Sequence, residues 1–399
     1  MIPYYSSHIG LGKLKSLFKK APVDEIVSYF QRISGKKYVL LTSSCRSALY
    51  LTYNFLKSES IVAVSPLTCA AAIEPIFWAG KKPFFLDIQE KDLLPNHENL
   101  IEGLNNGVRV IQLINLGGKK TILDPAFIES AVNTNTFVVE DCAQSLSAFD
   151  EDNRVSVNVD VKCYSLMKTG FGIGGGVLAT DNEDLFISAK EEQSRFPDFS
   201  KKVVAYRIVR NIIETYRINL PVYKVRSLRD NTTFHKNDTE NLIEWNKCKH
   251  LKKPSQVFFK IFGNQMPKLK KFHEKRNFLA NLLINNLIES GCMLNYSKEA
   301  FLLPEVCSKL FIYHPKIQSQ IAIRYLKDRK IDAKHLEHRE DSRVQCRFDT
   351  LFGSSSNGLD KCSNYLKIHD HLISIPLHED MKEKEINLIT ESLRELIHG

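Results

Sequence analysis

From residue 37 to about 193 the chain alternates short apolar, β-branched runs with longer stretches in which apolar residues recur at helical spacing. Strands sandwiched between helical layers are buried on both faces and read as continuous apolar runs, whereas the covering helices carry one apolar stripe. The alternation therefore predicts an α/β fold with a mostly parallel central sheet. Strands are expected at residues 38–41, 61–64, 83–87, 108–113, 137–139, 163–166 and 176–179, and helices at 47–56, 68–79 and 125–132. Pro125, directly after Asp124, suits a first helical turn, where a missing amide costs nothing.

Residues 195–255 break this rhythm, being rich in Arg, Lys, Asn and Tyr and holding Pro197, Pro221 and Pro254, and they read as an insertion or linker. Within it Val204, Ile208, Ile212 and Tyr216 share one helical face beside Arg207, Arg210 and Arg217. That face suits packing on its own domain or on a partner subunit better than lying on a membrane surface. Beyond Met266 come a long helix at 267–288, scattered strands and helices at 318–329 and 382–397, the last with Ile386, Ile389, Leu393 and Leu396 at core spacing. The expected division is a large domain over residues 1–255 and a smaller C-terminal α+β domain over 256–399.

Composition narrows the class. At 399 residues and 43% hydrophobic content the chain exceeds what one core usually supports, and 10% aromatics with 25% charged residues argue against long disorder. The first twenty residues carry Lys13, Lys15, Lys19 and Lys20 with no apolar run between them, and no later run reaches spanning length, so a cytoplasmic protein is expected and membrane association is not. Nine cysteines without a CxxC pair fit free thiols in a reducing compartment. The net charge of +9 is spread along the chain rather than gathered in a nucleic-acid-type patch, and it suits a phosphorylated cofactor and an anionic small substrate.

Three segments carry candidate chemistry. VVEDCAQS at 138–145 ends an apolar strand on Asp141, with Gln144 three positions on. Open α/β sheets place ligands at such strand ends. An aspartate there can keep a pyridine nitrogen protonated, or it can simply cap the following helix. CYSLMKTGFGIGGG at 163–176 puts Lys168 between a strand end and a glycine-rich turn. A pocket lysine desolvated in this way can form a Schiff base; the plainer alternative is a solvated turn lysine beside a flexible loop. TSSCRSALYL at 42–51 sets small and hydroxyl residues before a helix, which is an anion site or only an N-cap. Anion site, strand-end Asp and strand-end Lys, in that order, are what a phosphorylated aldehyde cofactor requires.

The order and surroundings of these pieces resemble the DegT/StrS family of sugar aminotransferases, fold-type-I pyridoxal-phosphate enzymes. SSCRSAL is similar to the family's phosphate loop, and VAVSPLTCAAAIEPIFWAGKKPFFLDI to its proline-serine-aromatic-threonine stretch and next strand. INLGG at 114–118, VVEDCAQS, YSLMKTGFGIGGGVLAT and residues 364–389 resemble four further family segments in the family's order. The resemblance implies that Lys168 carries pyridoxal phosphate as a Schiff base and moves protons, that Asp141 pairs with the pyridine nitrogen, and that Gln144 lies on the ring-hydroxyl side. It places Ser44, Cys45 and Arg46 at the phosphate. It further implies a homodimer that takes an amino group from a donor such as glutamate and passes it to the keto group of a nucleotide-activated sugar, for amino-sugar or surface-glycan biosynthesis. A dehydratase-like relative and a noncatalytic regulatory relative are the alternatives; Lys168, replaced in the dehydrating branch, favours transamination.

Three positions depart from the family pattern. Cys69 stands where an aromatic commonly stacks on the cofactor ring. Cys163 stands where a phosphate-binding serine is common, with Ser165 as its substitute if the register shifts, and Arg46 replaces a threonine. No metal is expected: His335 with His338, and His369 with His371, have ligand spacing but no evident third ligand and read as surface or core histidines. Phe77 and Trp78 read as core, and the Lys-rich stretch 268–275 as a solvated helix face.

Overall fold

A computed structural model describes residues 2, 17, 19–57, 59–90, 93–95, 97–119, 125–146, 159–168, 172–215, 247–289, 307–315, 317–335 and 359–398. Its centre is a seven-stranded sheet in the order β1-β7-β6-β5-β4-β2-β3. The strands are β1 (Tyr38–Thr42), β2 (Ile61–Val64), β3 (Lys82–Phe85), β4 (Val110–Ile114), β5 (Phe137–Cys142), β6 (Val161–Ser165) and β7 (Gly176–Thr180). Pairings from β3 through β2, β4 and β5 to β6 are parallel, while β7 runs antiparallel to both β6 and β1. Every residue of β4, β6 and β7 is buried, as expected of strands between two helical layers. All seven expected strands form, with ends shifted by a few residues; the largest extension carries β5 on through Asp141.

Around the sheet lie α1 (Val23–Ser34), α2 (Cys45–Phe55), α3 (Ala70–Trp78), α4 (His97–Asn105), α5 (Pro125–Asn133) and α6 (Glu183–Ser194). In α1 the buried Ile26, Tyr29, Phe30 and Ile33 form one stripe, and the helix stops at Gly35, whose left-handed backbone (φ 67°) returns its amide to Gln31. α2 lies over the sheet with Ala48, Leu49, Leu51, Thr52 and Tyr53 buried, which fixes its N-terminus beside the ends of β5 and β6.

Within the expected insertion, α7 (Lys201–Thr215) turns Val204, Ile208 and Ile212 toward Ile173, Phe258 and Ile261, so the helix packs on its own domain. Tyr216 and Arg217 lie outside the described residues. Next come α8 (Gln256–Gln265) and the long α9 (Leu269–Glu289). Phe259, Phe262 and Leu269 belong to the cluster around α1, whereas Leu279, Leu283 and Leu287 belong to that of the C-terminal module, so α9 joins the two. That module is a three-stranded antiparallel sheet, β8 (Leu310–Tyr313), β10 (Leu372–Ile375) and β9 (Lys334–His335), in that order. Helices α10 (Ser319–Asp328), α11 (Ser363–His369) and α12 (Glu383–His398) accompany it. Among the described residues no helix is long and apolar enough to cross a membrane.

Candidate active site

β5 delivers Asp141 to the carboxyl end of the parallel strands, where the side chain is buried. Its Oδ1 accepts the Ala143 amide at 2.9 Å and the Cys45 thiol at 3.6 Å, and its Oδ2 accepts Gln112 Nε2 at 3.3 Å. Gln112, on neighbouring β4, is itself fixed by the Tyr53 hydroxyl, which donates to its Oε1 at 2.8 Å. Burial raises the Asp141 carboxyl above its ordinary range, and the Lys168 charge with these donors pulls it back. Lys168 sits half-buried in the turn after β6, within electrostatic reach of Asp141 and Cys45.

Beside this pair is the N-terminus of α2, whose first-turn amides have no carbonyl inside the helix to bond. Ser44 caps it by accepting the Ser47 amide at 3.1 Å, and the Ser43 and Ser47 hydroxyls meet at 2.7 Å. The glycine run explains how backbone comes so close. Gly175 takes φ 95° and donates its amide to the Ser43 carbonyl at 3.0 Å, and a Cβ on Gly176 would stand 2.2 Å from the Ser44 carbonyl carbon and 2.3 Å from the Cys45 nitrogen. Three hydroxyls, a helix dipole and an abutting glycine turn make an anion cradle.

The structure brings most of the expected site residues to this place and corrects some of their roles. Arg46 does not extend a free charge to the cradle. Its guanidinium pairs with buried Glu74 of α3 at 3.1 Å and lies 5.8 Å from the Trp78 ring centre, and burial lowers it to about 10. Cys163 is unsuited to hold phosphate, because it points into the core, its sulfur 3.8 Å from the Thr52 hydroxyl of α2. Ser165, two residues further at the strand end, pairs with Gly176 and so stands at the cradle, where its hydroxyl accepts the Met167 amide at 3.3 Å. Cys69 is the half-buried residue preceding α3, close enough to Arg46 and Lys309 to act on both charges. Gln144 Oε1 accepts the Gly117 amide at 3.1 Å, tying the LGG turn to the strand end.

Sequence reasoning missed Gln112 and Tyr53, which read only as buried strand and helix positions, and Asn115, which donates to Glu140 at 2.7 Å and Ser145 at 2.8 Å behind the strand end. It also missed Lys309, from the C-terminal module. The Ser308 amide donates to Gly117 at 2.8 Å, and Lys309 interacts with Lys168 and Cys69. The histidines regroup in space. His338 lies outside the described residues, and His371 Nδ1 lies 3.0 Å from the Ile317 carbonyl oxygen. Instead His335, His369 and Asp370 each bring one ligand-type atom within 4.8 Å of the others, although Asp370 Oδ1 is 2.9 Å from His369 Nδ1 and partners it directly.

With this geometry in view, residues 18–197 match the sequence model of the DegT/DnrJ/EryC1/StrS aminotransferase family. Over that segment the chain is similar to this family. The matched stretch runs from before α1 to just past α6 and so holds the whole seven-stranded sheet, the cradle, Asp141 and Lys168. Among relatives, the chain is 28% identical over 176 residues to the spore coat polysaccharide biosynthesis protein SpsC of Bacillus subtilis, covering 42% of this chain and 44% of that protein. It is 26% identical over 218 residues to UDP-4-amino-4,6-dideoxy-N-acetyl-beta-L-altrosamine transaminase of Campylobacter jejuni, covering 48% and 54%. The chain thus spans about half the length of the curated relatives it matches. The whole fold is shared with Escherichia coli GDP-4-keto-6-deoxy-D-mannose-3-dehydratase solved with bound hydrated PLP, with a TM-score of 0.69 at 15% identity over 98% of this chain and 99% of that one.

Proposed function

We propose that this chain is a pyridoxal-phosphate-dependent aminotransferase that moves an amino group from an amino acid, glutamate, to the keto group of a nucleotide-activated sugar. We further read it as a cytoplasmic homodimer. The observation that carries the reading is the buried Asp141 carboxylate facing Lys168 across the ends of two adjacent parallel strands, beside a serine-rich helix N-terminus. Similarity to a sugar transaminase by sequence supports it.

The residues present fit the cofactor. A carboxylate buried at a strand end suits a protonated pyridine nitrogen, and the cradle suits a phosphate dianion. The buried Thr68 hydroxyl, one residue before Cys69, has no hydrogen-bond partner among the described residues. Cys69 fits less well, offering a small thiol in place of an aromatic face.

When bound, pyridoxal phosphate supplies a conjugated electron sink for the carbon that bears the amino group. This chain does the rest. Lys168 would hold the cofactor covalently, and its amine would move a proton to and from the reacting carbon, a task that its half-buried place within electrostatic reach of Asp141 supports. Asp141 keeps the ring nitrogen protonated, and Gln112 with Tyr53 holds the carboxylate in one orientation. Ser43, Ser44, Ser47 and Ser165 with the α2 amides anchor the phosphate, so the ring stays registered as substrates exchange.

Dehydration on a similar sugar is the competing chemistry, since the fold is common to both, and Lys168 argues against it. The test is an absorbance spectrum of the full-length protein with pyridoxal phosphate, before and after glutamate, beside Lys168→Ala. The expected outcome is a visible band that glutamate bleaches and that the variant never forms. A wild type without the band sinks the enzymatic reading, and a band that glutamate leaves intact sinks the donor assignment. Sedimentation at micromolar protein should return twice the 45.7 kDa chain mass.

A further inference from the structure

Residues 172–176 close the turn that follows Lys168, and all but Ile173 are glycine. Glycine backbone is costly to order, so such a run keeps one shape only where anchors outside it are supplied. Main-chain bonds supply some of them: the Gly172 amide donates to Leu166 at 2.7 Å, the Leu166 amide to Gly175 at 3.1 Å and the Gly175 amide to Ser43 at 3.0 Å. The Ile173 side chain is buried with Val204, Phe258 and Ile261 and so docks on α7 and α8. The Phe258 ring fills the space beside Gly174, where an added Cβ would meet it at 2.7 Å. The Ile173 carbonyl goes to Arg207 of α7, whose Nη1 donates to it at 3.3 Å. The guanidinium carbon lies 5.1 Å from the Phe199 ring centre and 5.4 Å from that of Phe258, and the two rings meet edge to face at 5.2 Å. Both rings thus hold the cation where it meets the carbonyl. A helix that only had to pack on its domain would carry an apolar residue here, because burial and then the neighbouring Arg210 disfavour the charge.

We propose that Arg207 is a positioning residue for the turn after Lys168, and that the insertion helix α7 is a splint keeping this glycine run closed on the anion cradle. The inference rests on the aminotransferase reading for the identity of the anion, and it gives a task to a segment that the reaction chemistry leaves unused. The line of transmission is short. Arg207 holds Ile173, and two residues on Gly175 holds Ser43. Gly176 follows, packed against the Ser44 and Cys45 backbone and paired with Ser165. A guanidinium donating to a carbonyl makes a charged hydrogen bond, stronger than the neutral main-chain bonds around it. Without that bond the glycines are free to sample other shapes, and Ser43, Ser165 and the α2 amides lose their common register toward a phosphate.

The experiment has two arms on the full-length protein. Hydrogen exchange without cofactor is read by mass spectrometry on peptides covering residues 164–176, α7 and α1. Binding is titrated with pyridoxal phosphate and, separately, with pyridoxal, which lacks the phosphate. Wild type is compared with Arg207→Met, which keeps an apolar stem between the rings, and with Arg207→Lys, which keeps a charged donor. Arg207→Met should speed exchange over 164–176 by about tenfold, the low end for a lost charged hydrogen bond at a half-buried place, and leave α1 as in wild type. It should weaken pyridoxal phosphate by a similar factor and pyridoxal much less, because the turn walls the phosphate. Arg207→Lys should recover most of both losses. The splint is overturned if 164–176 exchanges as in wild type, if α7 or α1 loosens as much as the turn does, or if pyridoxal is weakened as much as pyridoxal phosphate. A wild type that binds no pyridoxal phosphate, together with a turn that Arg207→Met still frees, overturns the cofactor reading alone.

Discussion

Asp141 is expensive where it stands. A carboxylate without solvent is tolerated only when donors and a nearby cation replace water, and here the Ala143 amide, Gln112, Cys45 and Lys168 do so. A cost of this kind survives where charge is needed, as it is beside a pyridine nitrogen. Asp141→Asn preserves shape, turns one of the two acceptor oxygens into a donor, and loses the charge proposed to hold the ring proton. The variant should still form the visible band with pyridoxal phosphate, yet bleach with glutamate about 1000-fold more slowly, about 4 kcal/mol of barrier. Single-turnover absorbance decides it, and a rate within about tenfold of wild type removes Asp141 from the proposed role. Asp141, Gln144 and Lys168 were legible in the sequence because strand-end position and neighbouring glycines mark them. Gln112 was not, since one polar residue within the apolar run VIQLI reads as an interruption until its partner strand and Tyr53 are in place.

At the scale of elements, apolar period and punctuation located the sheet strands and α2, α3 and α5. They did not locate α1, α4 or α6, whose polar faces blur the period in short segments. The glycine turn after Lys168 reads from sequence as permissive, but contacts make it obligatory. Gly176→Ala would drive a Cβ to within 2.2–2.3 Å of the α2 N-terminal backbone, and backbone on both sides has no rotamer with which to yield. The cradle should open and the visible band should be lost even at saturating cofactor. Gly35→Ala is the matched control. Its φ of 67° adds a left-handed strain that Gly176 does not carry, but no atom lies within 4 Å of the added carbon. That change should lower stability by only about 1 kcal/mol in a denaturant titration and leave cofactor binding intact. If both variants bind alike, the close approach at Gly176 does not shape the site.

In the whole molecule the site is a product of two modules, and long-range contacts fix their relation. Asp87, just after β3, caps α11 across more than 270 residues of sequence: its Oδ2 accepts the Asn364 amide at 2.9 Å and its Oδ1 the Tyr365 amide at 3.0 Å. Tyr365 and Ile368 of α11, with Phe311 and Tyr313 of β8, belong to the same apolar cluster as α2 and α3. No local pattern announces an N-cap whose helix lies at the far end of the chain, and this is why the C-terminal contribution, Lys309 included, stayed hidden. If capping docks the module, Asp87→Ala should lower the unfolding midpoint by an amount equivalent to about 1–2 kcal/mol. The cradle and Asp141 lie wholly in the large sheet, so pyridoxal phosphate should bind almost unchanged. A loss of cofactor binding would mean instead that the large domain cannot form its site without α11 in place.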